Sequence, residues 1–265
     1  NASMVTSALR LDLNPGGVST IDDAQLTIND STQIENAIGG DGNDYISGNA
    51  VANELRGMRG NDQIFGLAGN DRIDGGDGDD LIYGGGGNDE LDYLFPNGND
   101  KLYGGLGNDS YFVYSHSGSD TFVEKLNEGN DVVYTGLSYS LSGIENIENL
   151  FAFSTITMNL QLTGNELDNW IRPSSGNCIL DGGVGNDTVW YGSDYAYEDC
   201  SIYIESGDLK VRKGNGSIDI LKNFEYISFS DRTIDLLAAS ITSLDPTYSI
   251  APAANSYDEG QSALF

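Results

Sequence analysis

From Gly39 to Asp92 the sequence returns to one pattern every nine residues: GGDGNDYIS, GNAVANELR, GMRGNDQIF, GLAGNDRID, GGDGDDLIY, GGGGNDELD. Each unit carries a single strong apolar centre, so no unit can bury a core alone. Stacked copies can share one. The pattern continues with insertions as YLFPNGNDKLY, GGLGNDSYF, SGSDTFV and EGNDVVY. The apolar centre recurs at Ile46, Leu55, Ile64, Ile73, Ile82, Leu91, Leu102, Tyr111, Phe122 and Val133. The sixth position is Asp44, Asp62, Asp71, Asp80, Asp89, Asp100, Asp109, Asp120 and Asp131, with Asn53 in the second slot.

A three-residue segment with one apolar centre suits a short strand, centre inward and flanks outward. The glycines between strands permit tight turns with positive φ and leave carbonyl oxygens exposed. Asp44, Asp62 and Asp80 stand 18 residues apart, as do Asp71 and Asp89. After Asp92 an insertion lengthens the step to 20 for Asp80 to Asp100, and the step from Asp109 to Asp131 is 22.

The charge balance narrows what this repeat can serve. With 41 acidic and 12 basic side chains the formal net charge is −29. Binding to phosphate backbones needs Lys and Arg, which argues against nucleic acid and equally against an anionic membrane surface. No apolar run is long enough to span a membrane. Acidity with 35 glycines would suit a disordered chain, but 15 Tyr, 9 Phe and 2 Trp accompany apolar centres at fixed intervals. Self-repulsion opposes compaction unless a hard cation gathers the carboxylates. Carboxylates and backbone carbonyls are the oxygen donors Ca²⁺ prefers, roughly six to eight per ion. Plain hairpin turns do not account for so many in-register units. No EF-hand loop with its closing Glu is present.

These nonapeptides resemble the RTX calcium-binding repeat. The resemblance implies an all-β fold, a right-handed parallel β-roll with two nonapeptides per turn and calcium between turns 18 residues apart. It implies several Ca²⁺ ions. Their ligands would come from the nine aspartates above and Asp187, and from the turns carrying Gly40, Gly42, Gly60, Gly69, Gly76, Gly78, Gly85, Gly87, Gly105, Gly107, Gly183 and Gly185. Sites flanked by two aspartates should hold metal better than the Asn53/Asp71 pair, which has lost a charge.

The expected organisation is an N-terminal β cap at 1–38 and the main roll at 39–134. An irregular segment and a short degenerate roll follow at 135–192, then an antiparallel β cap at 193–240. Residues 241–265 read as a linker and the start of another domain. In the degenerate block the sixth positions are Asn169, Cys178 and Asp187, so it should be metal-poor. The sequence leaves open whether Cys178 and Cys200 pair. The leader TQIENAIGGDGNDYISGN resembles the start of the C-terminal β-roll of serralysin-type secreted metalloproteases, although many RTX proteins share such a leader.

No catalytic residue is assigned. The one histidine, His116, rules out an H-E-x-x-H zinc site within this chain, and no P-loop or nucleophile elbow occurs. The chain reads as an excerpt of a longer secreted bacterial protein, a calcium-binding module that folds outside the cell after type I secretion. Adhesin, surface-layer or matrix protein is the first reading; the accessory domain of a secreted hydrolase is the second. Beyond calcium, the partners left open are cell-surface polysaccharide and other domains of the same chain. The third strand position should face outward, giving a ladder of Phe65, Tyr83 and Tyr103 on one side and Arg56, Asp74, Asp92, Phe112 and Tyr134 on the other. The aromatic ladder could be covered by the flanks, stacked in solvent, or a sugar platform.

Overall fold

The computed structural model describes residues 7–21, 24–92, 94, 97–114 and 119–237. His116 and the segment 241–265 lie outside these residues. The described chain is all β apart from two short 3₁₀ turns, and no helix in it is long and apolar enough to cross a membrane. It divides into two compact units, Asn1–Phe153 and Ser154–Phe265.

In the first unit successive strands fall alternately on two parallel sheets, as a period of two short strands per coil demands. One sheet stacks Tyr45–Ser47, Gln63–Ala68, Leu81–Gly86, Lys101–Leu106 and Thr121–Val123. The other stacks Asn36–Ile38, Glu54–Arg59, Arg72–Asp77, Glu90–Leu91, Ser110–Val113, Val132–Thr135 and Asn149–Ala152. The apolar centres are in register: Ile46, Ile64, Ile82, Leu102 and Phe122 on one sheet, and Leu55, Ile73, Leu91, Tyr111 and Val133 on the other. All are wholly buried except Phe122, which is nearly so. The steps of 20 and 22 residues leave this register intact, so the extra residues are taken up between strands. Arg10–Asp12 joins the first sheet parallel to Tyr45–Ser47 and then turns into an antiparallel meander with Val18–Ile21 and Ala24–Thr27.

Several strands are six residues long rather than three, because pairing continues into the turn, with Met58 opposite Gly76 and Leu67 opposite Gly85. Met58 and Leu67 hold φ of 92° and 81° where other repeats use glycine, a conformation that is costly for side chains with a Cβ.

The outward ladder exists. Phe65 and Tyr83 stack at 5.0 Å and 4°, and Tyr83 and Tyr103 at 4.5 Å and 12°. Tyr45 and Arg10 extend it at one end. The ring faces are turned to one another. On the other side the expectation fails for two residues: Asp74 and Asp92 are buried, not outward. The Leu94 N–H donates to Asp74, and the Gly75 N–H donates to Oδ1 of Asp92. Burial pushes Asp74 up to about 6 and Asp92 well above the usual carboxylate range.

In the second unit Gln161–Thr163, Ile179–Asp181 and Ile218–Lys222 form a parallel stack, which Asp208–Arg212 and Ser201–Glu205 extend as an antiparallel meander. Trp170–Arg172, Thr188–Trp190 and Tyr226–Ser228 form another, closed by antiparallel Thr233–Asp235. Cys178 and Cys200 are free thiols.

Candidate metal-binding turns

Each sixth-position aspartate ends a turn and precedes a strand, so the parallel register places it directly above its counterpart one coil earlier. The main-chain N–H of each donates to Oδ1 of the next. Asp44 donates to Asp62, Asp62 to Asp80, Asp80 to Asp100, and Asp100 to Asp120. On the other sheet Asn53 donates to Asp71, Asp71 to Asp89, Asp89 to Asp109, and Asp109 to Asp131. These bonds span 2.7–3.1 Å. They fix one carboxylate oxygen and aim the other into the turn. There Oδ2 of Asp62, Asp71, Asp80, Asp89, Asp100 and Asp109 is buried without a hydrogen-bond partner.

Buried polar atoms are ordinarily paired, so six orphaned oxygens in one register point to a missing cation. The surroundings fit one. A Cβ on Gly57 would lie 2.0 Å from Asp62 Oδ2 and 2.5 Å from the Gly75 carbonyl oxygen. One on Gly66 would lie 2.3 Å from Asp71 Oδ2 and 2.5 Å from the Gly84 oxygen. The first-position glycines therefore leave a cradle lined by carboxylate and carbonyl oxygens, a hard donor set suited to calcium. The sequence reading had assigned the second- and fourth-position glycines and missed these; their nine-residue recurrence was the available signal. Gly60, Gly69, Gly76, Gly78, Gly85, Gly87, Gly105 and Gly107 hold positive φ, as do Gly183 and Gly185. They also pack against carbonyls of the preceding coil, so that a Cβ on Gly78 would lie 2.0 Å from the Gly60 oxygen.

Asp44, Asn53 and Asn169 depart from this arrangement, while Asp187 keeps it. Asp44 accepts the Leu9 N–H on Oδ1 and the Gly40 N–H on Oδ2, so both its oxygens are engaged by the chain. Asn53 likewise accepts the Asn49 N–H. In the second unit Asp187 keeps an orphaned Oδ2 while its Oδ1 accepts the Asn169 N–H, and Asn169 closes its own turn on the Asn165 N–H.

Two glutamates continue the ladder. Asp131 N–H donates to Glu148 and Asp187 N–H to Glu225, each at 2.7 Å. Strand pairing sets Val132 opposite Asn149 and Thr188 opposite Tyr226, so both glutamates occupy the sixth position of coils that lack the second- and fourth-position glycines. A third, Glu124, directly follows the strand Thr121–Val123, where other repeats have the first glycine. It joins Asp109 and Asp131 in a buried cluster whose ligand oxygens all lie within 4.8 Å of one another. Its Oε1 accepts the Tyr111 hydroxyl and its Oε2 has no partner.

Burial is the first cause of the upward shift in these carboxylates, and repulsion from neighbouring carboxylates adds to it at all of them except Asp71 and Asp120. Asp62 and Asp131 are pushed up to about 8, Asp89, Asp100 and Glu124 to about 7, and Asp71, Asp80, Asp109 and Asp187 to about 6. Asp120 is raised for the same reason. A divalent ion between the turns removes the penalty on the ionised form.

The family model for the RTX calcium-binding nonapeptide repeat matches four stretches, residues 33–63, 56–91, 97–122 and 163–195. Three lie in the first unit and one in the second. No curated protein matches the chain. The register of aspartates over glycine cradles agrees with these matches: the chain carries RTX nonapeptide repeats, whose turns bind calcium.

Proposed function

We propose that this chain is an extracellular calcium-responsive folding module, exported unfolded by type I secretion as RTX proteins typically are, and part of an adhesin, surface-layer or matrix protein. The observation that carries the reading is the row of buried, unpartnered Oδ2 atoms from Asp62 to Asp109. A roll whose turns are built on such atoms folds only when a cation meets them, so binding energy becomes folding energy. Extracellular calcium sites are weak, with Kd of about 10⁻⁴–10⁻³ M, which suits a chain that stays open inside a cell and closes outside.

The ligands in this reading are the aspartates and turn glycines named above, with Glu124 added. The proposed division at 38, 134, 192 and 240 separates metal-bearing coils from caps. The face-to-face stacking of Phe65, Tyr83 and Tyr103 supports a structural ladder over a polysaccharide platform, since the faces a sugar would need are taken by neighbouring rings. The second reading, an accessory domain behind a secreted hydrolase, is favoured by the leader Ile34–Gly40, whose strand Asn36–Ile38 pairs with Glu54–Arg59, the strand of the second repeat.

The test is calcium titration of the chelated full chain followed by circular dichroism and small-angle scattering. The proposal expects an expanded chain that compacts over millimolar calcium. A chain that is equally compact in chelator refutes it.

A further inference from the structure

In the second unit one turn lacks the donors for a metal yet is built like a metal turn. Cys178 holds the sixth position and precedes the strand Ile179–Asp181, with Ile179 opposite Ile220. Asp219 precedes Ile220 in the same way, and the Cys178 N–H donates to its Oδ1 at 2.9 Å. This is the bond that links each aspartate to the next in the calcium turns. Counted back from Cys178, Ser174 and Gly176 take the second and fourth positions. The carbonyls at those positions line the calcium turns, as Met58 and Gly60 do beneath Gly76 and Gly78.

Into this frame comes the ammonium of Lys213. It is fully buried, donates to the carbonyls of Ser174 and Gly176 at 2.7 Å each, and lies 3.0 Å from Asp219 Oδ1. The Tyr191 hydroxyl donates to Asp219 Oδ2 at 3.0 Å, so the oxygen left orphaned elsewhere is satisfied here. The charges match. A calcium turn sets two carboxylates around a divalent ion; this one has a neutral thiol and one carboxylate around a monovalent ammonium.

We propose that Lys213 is a covalently attached cation standing where calcium stands in the other turns, so that the turn pair 173–178 and 213–219 is a cation site that closes without metal. A buried ammonium is costly unless its donors and charge are met, and two carbonyls and Asp219 meet them. The consequence is a segment of the second unit that holds its fold at calcium levels where the aspartate turns open.

The experiment uses the full chain. Its two tryptophans, Trp170 and Trp190, both lie in the second unit, so their fluorescence reports that unit apart from the aspartate turns of the first. Lys213→Met should lower the tryptophan-reported melting midpoint by about 10 °C, with or without calcium. Lys213→Ala with Cys178→Asp replaces the ammonium by space and restores the second carboxylate. That double variant should bind one more calcium ion than Lys213→Ala alone and recover its midpoint only in millimolar calcium. A Lys213→Met chain melting with the wild type overturns the proposal. So does a double variant that gains neither the ion nor the midpoint, whether folded or not. Calcium-induced compaction of the whole chain is read separately by small-angle scattering, so failure here leaves the calcium reading of the aspartate turns to its own test.

Discussion

The main-chain N–H of Asp62 donates to Oδ1 of Asp80 at 2.7 Å, while Oδ2 of Asp80 is buried with no hydrogen-bond partner. One carboxylate thus does two jobs: one oxygen ties adjacent coils and the other waits for a cation.

Chelation should therefore dismantle the aspartate turns. In excess EDTA the β signal of the first unit is expected to collapse, and millimolar Ca²⁺ should restore it. Mg²⁺ should restore much less, because it demands a small octahedral shell and keeps its waters. Circular dichroism with each ion decides this; equal recovery in Mg²⁺ would contradict the calcium assignment.

The metal-free chain should respond to pH in the opposite sense from the loaded one. Asp62, Asp89 and Asp100 have folded values of about 8, 7 and 7 against an ordinary value of 3.8. A raised folded value favours the protonated folded form. Its contribution is fully present below about pH 3.8 and is lost as pH climbs through 7 to 8. In chelator, lowering the pH from 8 to 4 should increase compaction. In calcium the same acidification should weaken binding, since ligands must lose their protons. Scattering and calcium titration at both pH values test the two signs.

Glu124 should make the Asp109–Asp131 turn pair the most strongly charged of the sites. Glu124→Gln is expected to lower its calcium affinity on the order of tenfold, because ligand charge tunes such sites. Glu124→Gly, which restores the usual repeat, should behave alike. Occupancies in crystals grown at limiting calcium would show it; unchanged occupancy beside Asp109 would remove Glu124 from the ligand set.

Ile73 is wholly buried between Leu55 and Leu91 in its sheet. Ile73→Asp places an unpaired charge there and should cost more than about 4 kcal/mol. The variant is expected to stay unfolded even in saturating calcium. Ile73→Val should lose only about 1 kcal/mol and fold normally. Calcium-induced compaction of the two, compared with wild type, separates loss of core from loss of metal.

The repeat made the coils legible. Ile64, Ile82 and their counterparts could be placed in the core from spacing alone, since a three-residue strand has one inward position and the period leaves no choice of which. The aspartates could be placed at the turns for the same reason. Glu148 and Glu225 could not, because their coils lack the second- and fourth-position glycines and the aspartate, and only strand pairing reveals that they stand at the sixth position. Asp74 and Asp92 read as outward by alternation, yet both are buried, and nothing in a local pattern says what will cover an outward position.

What the sequence by itself determined was the repeat unit, its core and the demand for a hard cation, because these follow from nine-residue spacing and a net charge of −29. Tertiary structure alone decided how each site is filled. Asp44 gives one oxygen to the Leu9 N–H and the other to the Gly40 N–H, Asp62 leaves its second oxygen free for a metal, and Asp219 meets the ammonium of Lys213, which also reaches the Ser174 carbonyl. Those outcomes depend on which groups from distant parts of the chain arrive at each turn, and burial makes every such arrival decisive: a carboxylate removed from water must find a donor or a cation, and sequence spacing does not say which.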